Sequence, residues 1–409
     1  MKIAMRQCDI TPTRPCWQGG YAQRKTVFEK VNDPIMATVF VLTLENAKKV
    51  FLSMDVVGFD RALTDLILAR SAEKGVQLEF DDVIFSATHT HSGPQVSAND
   101  HYGRQADPEY LERVVETVAS AIAGAYEEPG EPVELRYRNT LIDGIYSNRN
   151  DRNKHSDKLV HELGFFRGDE LVAEIYSMAH HCTVLGPNNM DISADLFGEV
   201  RRLLQEEKKV PVLMVQGNAG DMGNKQYRTS NTFDAVVAEA AALVDQIHKK
   251  HSDWTPVKAE HCGVRHVSYT AVYDVDAEVF KAKKAEFEEK MKTETDFDTV
   301  KLLVTGISSY ERKIALGSRH VEREMPARIF DMDELQIVAV PGELGSILGM
   351  RIKAASKARV CLLWGYASPC DLGYMVEKEA YGAFSQESNV TDYPAGIPDA
   401  YAAAIIENL

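Results

Sequence analysis

Short apolar runs and amphipathic segments alternate along the chain and predict alternating strands and helices. Residues 36–43 (MATVFVLT) and 50–57 (VFLSMDVV) are typical of two strands separated by a polar turn. Apolar residues recur at helical spacing over 63–74, and again after Asp107-Pro108, the pattern of an N-cap followed by proline at the first helical position. Further strands are predicted at 133–137, 171–178, 210–215, 329–340 and 359–364, and further helices at 196–204, 232–250 and 277–294. Because several neighbouring strands are joined by tight turns, we predict an α/β fold with a mixed β-sheet core and flanking helices.

The length and charge of the chain narrow the possible classes of protein. At 409 residues the chain exceeds the size at which a single core usually stops growing, so one large or two closely packed domains are expected. We find neither a repeat nor a long linker and predict a single domain over residues 1–409. The net charge of −15 and the lack of a basic cluster argue against nucleic-acid binding and against docking on anionic membranes.

The six cysteines are scattered without CxxC spacing. We find no apolar segment typical of a signal peptide and no stretch of transmembrane length. These features predict reduced thiols, a cytoplasmic location and a soluble small-molecule substrate, with no membrane partner. The charge does not prevent a homo-oligomer with an apolar interface, so the oligomeric state stays open.

The segment 83–94 (VIFSATHTHSGP) carries the strongest chemical signal. An apolar run leads into His89-Thr90-His91 and stops at a Gly-Pro pair. If this segment is extended, alternate side chains share a face, so the two imidazoles point the same way. Paired imidazoles at the end of a buried strand indicate a metal site, or a metal ligand beside an acid/base residue. The alternative is that one histidine ends a loop and the other is solvated.

Four further segments place polar or ionisable residues directly after an apolar strand. Functional residues collect at such strand ends because a rigid sheet holds loops that can vary freely. The segments are 179–187 with 192–195, 215–221, 340–343, and 365–367 with 372–374.

These blocks occur in a characteristic order over about residues 1–385: THTHSGP, H-x-T-V-L-G-P with I-S-A-D, N-x-G-D, P-G-E, and G-Y followed by an acidic-Tyr segment. In this order they resemble the neutral (alkaline, non-lysosomal) ceramidases and their bacterial relatives. The resemblance implies a ceramidase-like catalytic domain without the additional C-terminal immunoglobulin-like domain. It also implies a zinc amidohydrolase with one Zn²⁺ per chain.

The resemblance also assigns roles to individual residues. It implies that His89, His181, Glu343 and Tyr374 hold the zinc, and that His91 is the acid/base residue. The remaining candidates are Arg149 and Asp221 as catalytic residues, Tyr21, Asn148 and Gly223 as substrate-binding residues, and Asp55 and Asp195 as carboxylates that orient ligating imidazoles. Simpler alternatives are a core tyrosine for Tyr374, a surface arginine for Arg149, and turn or cap residues for the three aspartates.

The chain departs from the ceramidase pattern at Gly223. Ceramidases have a serine there, two residues after the aspartate of the N-x-G-D block, and that serine is implicated in the chemistry. A glycine cannot supply a hydroxyl, so we predict hydrolysis of an amide, ester or lactone by metal-activated water, with ceramide a less favoured substrate. Two alternatives stay open: a metal-binding protein without catalysis, and a metal-dependent isomerase or lyase on the same scaffold.

Overall fold

The computed structural model describes residues 1–97, 104–367 and 369–409. These residues contain twenty strands, many of them short, and nine α-helices. The strands are β1 (Lys2–Asp9), β2 (Lys30–Val31), β3 (Met36–Thr43), β4 (Lys48–Met54), β5 (Val83–Ala87), β6 (Glu131–Pro132), β7 (Glu134–Leu141), β8 (Ser147–Asn148), β9 (Leu159–Arg167), β10 (Glu170–Met178), β11 (Asp191–Ile192), β12 (Val212–Gln216), β13 (Met222–Gly223), β14 (Thr255–Val257), β15 (Gly263–Val275), β16 (Arg319–Met332), β17 (Leu335–Ala339), β18 (Glu343–Leu344), β19 (Val360–Trp364) and β20 (Tyr374–Met375). The helices are α1 (Arg61–Glu73), α2 (Pro108–Glu127), α3 (Asp195–Lys208), α4 (Phe233–Lys250), α5 (Ala277–Met291), α6 (Phe297–Ala315), α7 (Ser346–Ala355), α8 (Gln386–Val390) and α9 (Ile397–Glu407).

Three large sheets form the centre of the molecule, with strand orders β5-β4-β3-β1-β6, β12-β10-β9-β7-β14 and β15-β16-β17-β19. Each is mixed, which confirms the predicted fold class. Strands joined by hairpins pair antiparallel, as in β3 with β4. The pairs β4–β5, β10–β12 and β17–β19 are parallel, and each is connected through a helix: α1, α3 and α7 respectively. A parallel pair needs such a crossover because its strands start at the same edge of the sheet.

The three sheets share one apolar core. Phe51 of the first sheet packs edge-on against Trp364 of the third, with ring centroids 5.1 Å apart. Phe40 of the first sheet packs against Phe165 of the second at 6.2 Å. Helices pack against the sheets, as α2 does against β1 and β3. The N-cap of α2 is Asp107, whose side chain accepts a hydrogen bond from the Tyr110 amide, as the Asp-Pro pattern predicts. None of the helices in the described residues is long and apolar enough to cross a membrane.

Most predicted elements lie within a few residues of the observed ones, but one predicted strand is in fact two, and several observed elements were not predicted. The run 329–340 is not one strand: it comprises the end of β16, a turn at Asp333 with φ of 52°, and β17. Both strands are buried, so hydrophobicity alone did not mark the turn. The long β15–β16 ribbon was not predicted, because most residues of β15 and of the first half of β16 are exposed or half-buried and so give few apolar positions. Strands β1 and β9 and helices α6, α7 and α9 were not predicted either.

Candidate metal centre and active site

The candidate residues follow the carboxyl ends of the three parallel strand pairs. His89 follows β5, His181 follows β10, Asp221 follows β12, Glu343 follows β17, and Tyr374 lies beyond β19. The carboxyl ends of two parallel strands lie at the same edge of the sheet, and the loops that follow them usually form the ligand sites of α/β proteins. The shared core of the three sheets brings these edges together around one cavity of about 310 Å³, which His89, His181, Glu343 and Tyr374 line.

The segment His89-Thr90-His91 reaches the cavity in a different conformation from the one predicted. Strand β5 ends at Ala87, and His89 adopts a left-handed φ of 63° instead of an extended one. Two main-chain hydrogen bonds fix this turn, from the Thr88 amide to the Met54 carbonyl and from the His89 amide to the Val56 carbonyl. Non-glycine residues with positive φ are costly and cluster at functional sites. The imidazoles of His89 and His91 are still in contact, but a turn and not an extended strand brings them together.

Backbone carbonyls orient two of the imidazoles. Nδ1 of His89 lies 2.5 Å from the Val57 carbonyl oxygen, and Nδ1 of His181 lies 2.8 Å from the Ala219 carbonyl oxygen. Because a carbonyl oxygen only accepts hydrogen bonds, each Nδ1 carries the proton and each Nε2 presents a lone pair. These two Nε2 atoms are 3.1 Å apart. Two lone pairs facing each other at that distance repel unless a cation lies between them.

Glu343 and Tyr374 complete a donor set around the same point. Short strands β18 and β20 pair in parallel with Glu343 opposite Tyr374, which puts both side chains beside the histidines. Oε2 of Glu343 lies 3.3 Å from Nε2 of His181 and 3.6 Å from Nε2 of His89, and Oη of Tyr374 lies 3.2 Å from Nε2 of His181. With zinc–ligand bonds of about 2.0–2.2 Å, tetrahedral ligand atoms are roughly 3.3–3.5 Å apart. The residues therefore fit Zn²⁺.

His91 differs from the other two histidines. Its Nε2 lies 2.9 Å from Nε2 of His89, and the three histidines together are a group that could hold a metal ion. Its Nδ1, however, is buried and has no hydrogen-bond partner among the described residues. A Cβ on Gly20 would lie 2.4 Å from that Nδ1, so only a glycine fits there. The proton of His91 is thus not fixed by the backbone.

Burial keeps all three imidazoles neutral, which is the metal-binding form. It lowers the pKa of His89 to about 3, against the opposing effect of the Glu343 carboxylate. It also lowers the pKa of His91 and of His181 well below the usual range, with neighbouring histidines or Arg149 adding to the shift.

Arg149 lies inside the site, held by a residue that sequence reasoning missed. Its Nε donates to Glu387 at 2.5 Å and its Nη2 donates to Oη of Tyr374 at 3.1 Å. Burial alone would raise the pKa of Glu387, but the Arg149 guanidinium holds it below its ordinary value. Glu387 lies in α8, a five-residue helix with no local chemical signal, so only the fold reveals the pair.

Tyr21 packs against the acid/base candidate. Its ring centroid lies 4.9 Å from that of His91, and its hydroxyl donates to the Leu185 carbonyl at 2.8 Å. Asp195 supports this arrangement because its carboxylate accepts the Leu185 amide at 3.1 Å. Asp55 instead forms a bidentate pair with Arg201, at 3.0 and 2.6 Å. Backbone carbonyls therefore hold the Nδ1 atoms of His89 and His181, whereas Asp195 binds the Leu185 loop and Asp55 binds Arg201 of α3.

Asp221 and Asn148 bond to each other outside the lining of the histidine cavity, although both were predicted to serve the reaction. The Asp221 carboxylate accepts the Asn148 side-chain amide at 2.7 Å, and also the amide and hydroxyl of Ser346 at 2.7 and 3.0 Å. The carbonyl of Asp221 accepts the Arg149 amide at 2.8 Å. Burial raises the pKa of Asp221 to about 7. Both residues therefore position the Arg149 loop and the start of α7.

Gly223 lines the cavity beside the metal-ligand candidates. It pairs with Ser147 between β13 and β8, and a Cβ there would lie 3.8 Å from Cβ of His181 and 3.9 Å from Cβ of Arg149. A side chain would therefore fit. Tyr366 was a further omission from the predicted site. Its hydroxyl donates to Oε2 of Glu343 at 3.4 Å, and its φ is 52°.

The fold and site define a class: a mixed α/β protein with a buried three-histidine cluster at the ends of its parallel strands. The structure is similar to that of the neutral ceramidase from Pseudomonas aeruginosa, with a TM-score of 0.75 and 18% identity, over 99% of this chain and 73% of that one. A ceramidase complexed with C2 matches over the same shares with a TM-score of 0.74 and 18% identity. The chain therefore has the neutral ceramidase fold, as the sequence motifs predict. No family model and no curated protein matches the sequence.

Proposed function

We propose that the protein is a metal-dependent hydrolase that cleaves an amide, ester or lactone bond of a small substrate. One Zn²⁺ would be held by His89, His181, Glu343 and Tyr374. The observation that carries the proposal is the pair of Nε2 lone pairs fixed 3.1 Å apart by the Val57 and Ala219 carbonyls. When bound, zinc polarises a carbonyl group and lowers the pKa of water to about 7.

The protein residues supply binding, orientation and proton transfer. Arg149, anchored by Glu387, presents a guanidinium beside Tyr374, where it can hold the oxygen of the scissile carbonyl and stabilise its developing negative charge. No described residue holds Nδ1 of His91 in a hydrogen bond, so its tautomer is not fixed and its Nε2, on the side of the histidine cluster, can pass a proton to the leaving group. Gly223 supplies no hydroxyl, so water is the attacking group, and the residue lines the cavity that would hold the substrate.

Metal content and turnover of single variants test the proposal. We expect about one zinc per wild-type chain, lost in His89→Ala and His181→Ala. His91→Ala should keep the metal and lose roughly 10²–10⁴-fold in turnover. His180→Ala is the matched control, because His180 is also buried but pairs with Glu239 at 3.0 Å instead of facing the cavity; it should keep both.

Product analysis identifies the reaction class. Turnover of an amide, ester and lactone panel in ¹⁸O-water should place one labelled oxygen in the acid product. Unlabelled product would contradict hydrolysis and favour isomerisation or elimination. Absence of metal after reconstitution, or metal loss in His91→Ala but not in His181→Ala, would contradict the assigned ligands.

A further inference from the structure

Lys301 of α6 lies at the wall of the cavity, beside the ring that packs on His91. Its Nζ is 4.8 Å from the ring centroid of Tyr21, and the Tyr21 ring is 4.9 Å from that of His91. The Tyr21 hydroxyl is tied to the Leu185 carbonyl, so the ring is a fixed spacer. The ammonium group of Lys301 is thus one aromatic ring away from the candidate acid/base residue.

The three arginines that line this cavity already have anionic partners, and Lys225, which also lines it, is exposed to solvent. Arg149 pairs with Glu387, Arg228 with Asp298 at 2.5 Å, and Arg312 with Asp392 at 2.8 Å. Lys301 forms no ion pair with any carboxylate of the described residues. Long charged side chains in such sheltered positions are usually paired. This ammonium therefore lacks its counter-charge.

The lowered pKa of Lys301 also indicates that positive charge around it is not balanced by negative charge. Burial is the main cause that lowers its pKa, to about 7, and the cations Arg228, Arg149 and Lys225 lower it further while Asp298 opposes them. Such an excess of positive charge contrasts with the net charge of −15 of the chain. An anion placed here would be attracted by several cations and would stabilise the protonated lysine.

We propose that Lys301 binds a carboxylate carried by the substrate, so that the site selects amides with an acidic group near the scissile bond. This inference rests on the proposed hydrolase function and names its substrate class. A single ammonium matches a monoanion, because the guanidinium of Arg228 in the same cavity lining is already paired with Asp298. The scissile carbonyl would then lie toward Arg149 while the carboxylate lies above Tyr21.

Three anilides of related shape test the substrate class: N-butyrylaniline, which is neutral, N-succinylaniline, with a carboxylate on the acyl side, and N-butyryl-4-aminobenzoate, with one on the amine side. We expect the wild type to cleave one of the two acids with kcat/KM roughly 10- to 100-fold above the neutral anilide, as for a charge-assisted hydrogen bond. Lys301→Met should bring that ratio to about one, and Lys301→Arg should restore much of it.

Lys290→Met is the matched control. Lys290 also stacks its ammonium on an aromatic ring, 3.7 Å from the Phe384 centroid, but it is exposed and lies away from the cavity lining. The preference for the acidic anilide should be unchanged in this variant. A wild type that cleaves acidic and neutral anilides equally, or a preference that survives Lys301→Met, would overturn the inference while leaving the hydrolase function intact.

Binding to metal-free protein separates the inference from the proposed function. N-butyryl-4-aminobenzoate or N-succinylaniline should raise the Tm of the metal-free wild type more than N-butyrylaniline does, and this difference should vanish in Lys301→Met. That result would support the carboxylate site even if no anilide is hydrolysed. Equal Tm shifts for acidic and neutral anilides in the wild type would overturn it.

Discussion

The buried ion pair between Arg149 and Glu387 should contribute several kcal/mol to stability. The Glu387 side chain is 1% exposed and that of Arg149 is 14% exposed. Glu387 also accepts the Asn150 side-chain amide at 2.9 Å. Removing one member of a buried pair costs about 3–5 kcal/mol, because the other charge stays buried without compensation. Glu387→Gln keeps the size and one acceptor, so we expect the free energy of unfolding to fall by about 3 kcal/mol.

Urea unfolding of a double-mutant cycle measures this quantity. Arg149→Met and Glu387→Gln should each lower the free energy of unfolding, and the double variant should cost about 1–3 kcal/mol less than their sum. The control is Asp65→Asn, which breaks the exposed Arg61–Asp65 pair and should cost under about 1 kcal/mol. A cost of Glu387→Gln equal to that of the control would refute the reasoning.

The pH dependence gives an independent check on the pair. Arg149 holds the pKa of Glu387 below its ordinary value of 4.5 despite burial. A depressed carboxyl pKa stabilises the fold above the unfolded pKa, and that stabilisation is lost as the pH falls through the folded pKa. The difference in stability between wild type and Glu387→Gln should therefore stay level above about pH 5.5 and shrink below 4.5. A difference that grows in acid would refute the assignment.

Three further outcomes are expected. Gly223→Ser should change unfolding free energy by under about 1 kcal/mol, whereas Gly220→Ser, whose Cβ would lie 2.4 Å from the Glu343 carbonyl oxygen, should cost about 1–3 kcal/mol or more; equal costs in urea unfolding would contradict the packing described. Burial raises the pKa of Asp195 to about 7, so the stability that this group contributes is present below pH 3.8 and is lost as the pH rises through 7. The Tm of Asp195→Asn minus the Tm of the wild type should therefore increase between about pH 5 and pH 9. A constant difference would count against this. Chelation should lower the Tm, by the equivalent of about 2.7 kcal/mol where free zinc had been 100-fold above Kd, and zinc should restore it in wild type but not in His181→Ala; a Tm indifferent to chelation would count against the metal site.

Local sequence patterns predicted the elements whose burial is regular. The run 36–43 coincides with β3, and the Thr232–Lys250 pattern with α4, because side-chain periodicity records which face is buried. The β15–β16 ribbon and the turn inside 329–340 escaped, since their boundaries depend on strand pairing and not on local hydrophobicity. The fold class followed from the alternation of elements and their short turns.

By itself, the sequence determined the mixed α/β class and the residue types available at the strand ends, because both are encoded locally, in periodicity and in motifs. Only the tertiary structure decided how those residues meet. The register of β18 against β20 places Glu343 beside Tyr374, and carbonyls 32 and 38 residues away orient His89 and His181. Packing alone brings Glu387 to Arg149 and Lys301 to Tyr21. Such contacts join segments remote in sequence, so no local pattern specifies them.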